Sequence, residues 1–533
     1  MSGTTDSPTT GPGTSGSGTS DSGTSGSGIS GPGTSGPGTS DSGSSGSRTS
    51  GSGSDRPRTT QIFCVSTLYG TATLVAAIES GLFSEPDRRM LLVFNNSATP
   101  ETTPGVDRMP GFEALRDHFD EVVSFNDAIR PFHPGAWSPR ADDMPLLERY
   151  LRMLWDLESD DVELVMESLQ VNPSLSLAQI FTGAPVHAYA DGLMSYGPTR
   201  NKIDPLVGTR VVRLLHLDLV PGLKPMLLTE FDVPAQTVPT RAFLKVLSTL
   251  TADELIALHG LPEVPDNSAL LLGQYLSALN ILSAEEEEDL HLRMMRGAVA
   301  LGHRSLVFKP HPTAPASYGL ALEAEAERLG VRLTVLDTPV LAEVLYERTS
   351  PALVVGCFST ALFTASALYD LPVARLGTEM LLERLAPFQN SNRVPVALSH
   401  ALLPGLGEAG GTAGGTAEKV TEKVTEGAVE RAVERAKGSG AAGGDFPAEL
   451  LQGLLSAMSF AMQPQIYPEL RRTTERFLAQ HYGPFLQPYF KRRRLTVLGL
   501  PGGIPQRLSF LPRNATARRV VRRARALKKA VKL

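Results

Sequence analysis

Cysteine is nearly absent from this chain. Cys64 and Cys357 are its only two in 533 residues, and they lie far apart. That excludes a disulfide framework and a cysteine zinc site, and both read as small core residues. No run of about 18 apolar residues occurs, so no transmembrane helix is expected. The opening Met1-Ser2-Gly3-Thr4 is polar where a secretory signal would be basic and then apolar, so the expected compartment is the cytoplasm. The adjacent acids Asp142-Asp143 and Asp160-Asp161 do not form a D-x-D string at the end of an apolar run. There is no metal-ligand cluster and no Walker-type glycine loop, so chemistry without a metal or other cofactor is expected. Acid is also missing from Lys491 to Leu533, which holds fourteen Lys or Arg in a chain of net charge −6. Such a stretch suits a negatively charged partner. An anionic membrane, at the inner face, is the expected one, and nucleic acid is not.

What is present falls into blocks. Residues 1–58 are a Gly/Ser/Thr-rich tract with almost nothing to bury, expected to be disordered and to act as a spacer. Residues 59–262 then alternate between apolar strands and helices. Gln61–Ser66 reads as a buried strand, Thr67–Gly70 as a turn and Thr71–Gly81 as a helix. Met90–Phe94 and Val186–Tyr189 read as further strands. A second block, 266–404, repeats the alternation. Ala269–Gln274, Ser305–Phe308, Val331–Leu336 and Ala352–Gly356 are strands, with helices at Ala284–Gly302, Leu320–Leu329, Val340–Arg348 and Ala361–Tyr369. This pattern predicts two α/β domains with parallel sheets. Residues 405–445 carry the repeat Thr416-Ala417-Glu418-Lys419-Val420, Thr421-Glu422-Lys423-Val424, which suits a solvated helix on a surface insertion. Residues 446–490 read as a helical closing segment, and 491–533 as the basic tail.

Three strings sit where those strands end, which is where ligands bind in such sheets. Tyr189-Ala190-Asp191-Gly192 puts a carboxylate on a glycine turn. Leu306-Val307-Phe308-Lys309-Pro310-His311-Pro312 puts a lysine and a histidine after a buried strand. Val354-Val355-Gly356-Cys357-Phe358-Ser359-Thr360 puts two hydroxyls before a helix. Each has a plainer reading. Asp-Gly is a common turn pair, a histidine can cap a strand end, and Ser or Thr can cap a helix. Together they form a set able to take a proton from an acceptor and hold a phosphate leaving group.

The set resembles the bacterial sialyltransferases, and among them the polysialyltransferase-like family, over roughly residues 60–400. That family carries an acidic pair before glycine, an H-P pair and a paired S-S/T, in this order. Here they are Ala190-Asp191-Gly192, His311-Pro312 and Ser359-Thr360, with Ala190 standing where the first acid would be. A second H-P pair, His133-Pro134, lies outside the pattern. The resemblance implies a GT-B architecture, with two Rossmann-like domains facing across a cleft. It implies transfer of sialic acid, or a related keto sugar, from a CMP-sugar donor to a glycan hydroxyl with inversion. Asp191 would be the base, with Gly192 permitting close approach. His311, as hydrogen-bond donor or as acid, would act with Lys309, Ser359 and Thr360 at the donor phosphate. Gly273 and Gln274 would touch the nucleotide. Ser66, Tyr196 and Arg200 would orient substrate, although Ser66, Thr67 and Gly70 also suit an ordinary turn and Arg200 a surface ion pair. A transferase acting on a teichoic-acid-type polymer, and an inactive glycan-binding relative, are the other readings.

Overall fold

The strands of this protein are short, continuous apolar runs. Ile62, Phe63, Cys64 and Val65 of the first are fully buried, as are Val354 and Val355 of a later one. A strand buried on both faces belongs in a parallel sheet covered by helices on each side. The computed structural model describes residues 56–251, 264–265, 267–311, 314–336, 338–407 and 448–504. The spacer tract up to residue 55, most of the 405–445 insertion, Pro312 of the H-P pair and the tail beyond residue 504 lie outside the described residues.

Seven parallel strands form the first sheet: β1 (Thr59–Val65), β2 (Arg88–Val93), β3 (Glu121–Ser124), β4 (Asp161–Met166), β5 (Val186–Ala190), β6 (Val211–Leu217) and β7 (Ala235–Val238). Their order is β3-β2-β1-β4-β5-β6-β7. Five parallel strands form the second: β8 (Ala269–Leu272), β9 (Ser305–Lys309), β10 (Arg332–Val335), β11 (Leu353–Gly356) and β12 (Val373–Arg375), in the order β10-β9-β8-β11-β12. Both orders run outward one way from the first strand and then restart on its other side. The reversal falls between β1 and β4 in one sheet and between β8 and β11 in the other. Such switch points leave a crevice at the carboxyl ends of the strands. Two Rossmann-like sheets make this the GT-B type.

Side chains alternate across the first sheet with period two. Phe63, Val65, Leu91, Val93 and Val165 join a core that continues into Leu270, Val307 and Val354 of the second sheet. Ile62, Cys64, Met90, Leu92, Leu164 and Met166 join a separate core on the opposite face. Cys64 and Cys357 are buried free thiols. The helix after β1 starts at Leu68, three residues before the expected Thr71. Thr67 caps it, its hydroxyl accepting from the Gly70 N–H at 2.9 Å. The expected turn is therefore a helix N-terminus.

The closing segment that carries the helices Ala448–Met462 and Arg471–His481 is hydrogen-bonded to both domains. The Gln463 amide donates to the Arg200 carbonyl, and the Thr199 N–H donates to the Tyr467 hydroxyl at 2.8 Å. Lys491 Nζ donates to the Leu385 carbonyl, and His400 meets the Tyr489 hydroxyl at 2.9 Å. Arg492–Leu498, expected to begin the tail, is a helix whose Leu495 is fully buried. Among the described residues no helix is long and apolar enough to cross a membrane.

Candidate active site

On the side of the first sheet, three strand ends converge. Ser66 and Thr67 follow β1, Glu167 follows β4 and Asp191 follows β5. The Thr67 hydroxyl donates to Asp191 Oδ2 at 3.3 Å, and the Ser66 hydroxyl donates to Glu167. A side chain at Gly70 would come within 3.2 Å of Asp191 Oδ2 and 3.3 Å of the Tyr189 hydroxyl. Glycine there leaves space around the carboxylate. Asp191 is half-buried, and burial raises its pKa above the ordinary value against the Thr67 hydrogen bond. Glu167 is pushed up to about 7, by burial first and by the Asp191 charge second, with the Ser66 hydrogen bond opposing. Glu167 belongs to no motif. Its only sequence signal is an acid directly after the run Leu164-Val165-Met166.

On the side of the second sheet, Gly273 and Gln274 follow β8, Lys309 ends β9 with His311 just beyond, and Ser359-Thr360 follow β11. The Gly273 N–H donates to the Lys309 carbonyl at 2.8 Å, and a Cβ at Gly273 would sit 2.9 Å from Pro310 Cα. That glycine lets the two loops touch. His311 stacks on Tyr275, with ring centroids 3.9 Å apart and planes 25° apart. Burial and the Lys309 charge depress the His311 pKa to about 4, with Glu287 opposing. At neutral pH the imidazole is therefore a neutral hydrogen-bond donor. Burial lowers the Lys309 pKa too, against the attraction of buried Glu343.

Ser359 caps the Thr360–Leu368 helix, accepting from the Ala361 N–H at 3.2 Å. Its O–H remains a donor. The Thr360 hydroxyl lies 3.5 Å from the Leu193 N–H, directly after the Asp191-Gly192 turn. A Cβ on Gly192 would approach that hydroxyl to 2.7 Å. The acidic turn of one sheet and the hydroxyl pair of the other are thus in contact.

Two expected site residues stand elsewhere. Tyr196 is fully buried, and its hydroxyl accepts from the Val220 N–H at 3.1 Å, so it braces a loop of the core. Gln274 is 6% exposed. Its amide donates to the Leu272 carbonyl at the end of β8 and to the Gly273 carbonyl, and its backbone N–H donates to His291 Nε2 at 3.0 Å. The exposed aromatic at that strand end is the next residue, Tyr275. Arg200 is half-buried, and burial lowers its pKa. Its backbone is held by Gln170 and Gln463. His133 of the second H-P pair binds the Ser97 carbonyl, apart from these strand ends. Among the described residues no group of three His, Cys, Asp or Glu is placed to hold a metal ion.

Two parallel sheets, with carboxylates at the strand ends of one and a Lys-His-Ser-Thr set at those of the other, define a glycosyltransferase of the GT-B type. The chain belongs to the alpha-2,8-polysialyltransferase (POLYST) family, whose sequence model matches residues 61–378 and so spans every motif. Sialyl transfer is the class of activity this membership gives. Similar solved structures include the GT-B domain of a sialyltransferase from Photobacterium damselae, 11% identical over 63% of this chain and 95% of that one, TM-score 0.31. UDP-GlcNAc 2-epimerase from Methanocaldococcus jannaschii is 13% identical over 75% and 99%, TM-score 0.39. Apo UGT2 of Phytolacca americana is 12% identical over 80% and 100%, TM-score 0.37. No curated protein matches the chain.

Proposed function

We propose that this protein transfers sialic acid, or a related keto sugar, from a CMP-sugar to a hydroxyl of a glycan acceptor. Asp191 takes the acceptor proton as the new C–O bond forms, which general-base catalysis rewards with about 10²–10⁴ in rate. His311, as a neutral N–H donor, acts with Lys309 and the Ser359 and Thr360 hydroxyls on the phosphate as the bond to the sugar breaks. Donors fixed where charge develops are worth most in a half-buried cleft. A single in-line displacement inverts the anomeric centre. The phosphate contacts are all protein groups, so no divalent ion is needed.

The observation that carries this reading is the contact between the Asp191-Gly192 turn and Thr360, which supports a base and a phosphate ligand acting side by side. Incubation with CMP-sialic acid and a panel of glycans tests it. Expected are free CMP and a sialylated product, undiminished by EDTA. Activity with other activated donors only would favour transfer to a teichoic-acid-type polymer. Glycan binding without CMP release from any donor would favour an inactive relative. Loss of activity with EDTA and its return with magnesium or manganese would overturn the metal-free mechanism.

A further inference from the structure

Ala190 stands where the family pattern has an acid, and its methyl is packed in the apolar core on the far face of the first sheet. The second carboxylate at this site comes from the neighbouring strand instead. β4 and β5 pair in parallel, with Met166 opposite Ala188. The next pair along is therefore Glu167 beside Tyr189. Alternation puts Val165, Glu167, Tyr189 and Asp191 on one face of the sheet. Ser66 and Thr67 directly after β1, Tyr69 in the first turn of the following helix, and Tyr189 of β5 face the two carboxylates. Tyr189 donates to the Cys64 carbonyl at 3.0 Å and so does not neutralise them. Among the described residues no Lys, Arg or His forms an ion pair with either acid.

We infer that Glu167 is a further catalytic residue: with Asp191 it forms a carboxylate pair at the switch point of the first sheet, and the pair as a unit accepts the acceptor hydroxyl proton. This rests on the reading of Asp191 as base. Two like charges in one partly buried site cannot both ionise at the ordinary carboxylate value. The last proton therefore leaves the pair near neutrality. The doubly ionised pair removes the acceptor proton while the acceptor oxygen bonds to the sugar and the sugar–phosphate bond breaks. The singly protonated pair then returns that proton to water. A base poised near the working pH is the most effective kind. Position 190 is left free to be apolar because the second carboxylate reaches the site from β4.

The test is the pH dependence of kcat/KM, with CMP-sialic acid and a glycan acceptor, for the wild type, Glu167→Gln and Asp191→Asn. The wild type is expected to lose activity below an acidic limb centred at about pH 7. In Glu167→Gln that limb should move down by about one pH unit or more, and the plateau should fall about tenfold, since a lone Asp191 is the weaker base. A merely structural role would lower the rate and leave the limb in place, and that result would overturn the inference. Carboxyl ¹³C NMR titration needs no turnover and decides the matter should Glu167→Gln be inactive. The wild-type pair should titrate in two steps, and Glu167→Gln should lose the upper one. An unchanged upper step in Glu167→Gln would again overturn the pair. Turnover retained in Asp191→Asn would instead remove the base reading itself, while the titration would still report whether the two acids are coupled.

Discussion

A methyl group on Gly192 would lie 2.7 Å from the Thr360 hydroxyl, closer than real side-chain contacts come. This pair joins the acidic turn of the first sheet to the first turn of a helix on the second. Gly192→Ala must push Thr360 aside or part the strand ends. The expected cost is about 1–3 kcal/mol of stability, as for other overpacked sites. Adding Thr360→Ala to the same chain should recover much of it, giving a coupling energy of about 0.5–3 kcal/mol in a double-mutant cycle of denaturant midpoints. Strictly additive effects would show that the two turns are free to separate. Turnover should stay low in the double variant, since it lacks a proposed phosphate ligand.

His311 is placed by the Tyr275 ring and by the loop that Gly273 allows close to it. His311→Ala should lower kcat by about 10²–10³, the usual loss for one preorganised donor, with circular dichroism and melting unchanged. Near wild-type turnover would remove the phosphate role. The imidazole is depressed to about 4 in the free protein, so it should contribute no limb near pH 6.5 to kcat/KM. His311→Gln, with its amide donor, should keep part of the rate and the wild-type acidic limb.

The placement of Lys309, His311, Ser359 and Asp191 at strand ends is legible in the sequence because each follows an apolar run. Ala269-Leu270-Leu271-Leu272 and Leu306-Val307-Phe308 announce β8 and β9, and Lys309 and His311 come with them. β4 was hidden because Asp161 and Glu163 interrupt its first half; Asp161 is exposed and Glu163 half-buried. Glu167 went unnoticed with the strand that carries it. β12 was hidden by Arg375, a charge that reads against a buried strand. Its guanidinium is satisfied by the Leu403 carbonyl, the Thr378 hydroxyl and Glu379. Tyr196 and Gln274 were misplaced for another reason. The Tyr196 hydroxyl is engaged by the Val220 N–H, distant in sequence, and the Gln274 amide folds back on the Leu272 and Gly273 carbonyls; no apolar pattern shows that a polar side chain beside a motif is already engaged.

His291 gives the fold a definite acid sensitivity. It is 1% exposed, and its Nε2 accepts the Gln274 N–H at 3.0 Å, a bond that protonation at that nitrogen would break. Burial depresses its pKa to about 4, against an ordinary 6.5. Between these values the unfolded chain binds the proton and the folded chain does not, so stability rises with pH. The contribution is complete above about pH 6.5 and is lost as pH falls toward 4. His187 is depressed to about 4 as well and acts with the same sign. Urea midpoints should fall between pH 7 and pH 5. His291→Gln should be less stable at pH 7 but should show a shallower slope, by at most about 1.4 kcal/mol per pH unit. An unchanged slope would mean that His291 is already protonated in the folded protein.

The basic tail is the remaining feature with a partner to find. Lys491 to Ile504 is packed against the fold through Leu495 and Leu500, so a cut at Lys491 would expose core residues. Residues 505–533 hold ten of the fourteen Lys and Arg of the segment and no acid. Deleting them should leave melting temperature and turnover on a soluble acceptor nearly unchanged. Binding to vesicles containing anionic lipid should fall sharply, since each basic residue near such a surface contributes about 1 kcal/mol. Exposed charges are screened within about 8 Å at physiological ionic strength, so binding of the full chain should also weaken as salt rises. Co-sedimentation across a salt series, with and without residues 505–533, reads both effects. Equal binding by the two chains, or none by either at low salt, would remove the membrane as partner. A polyanion such as the sialylated product would then be the partner to test, with the same pair of chains and the same salt series.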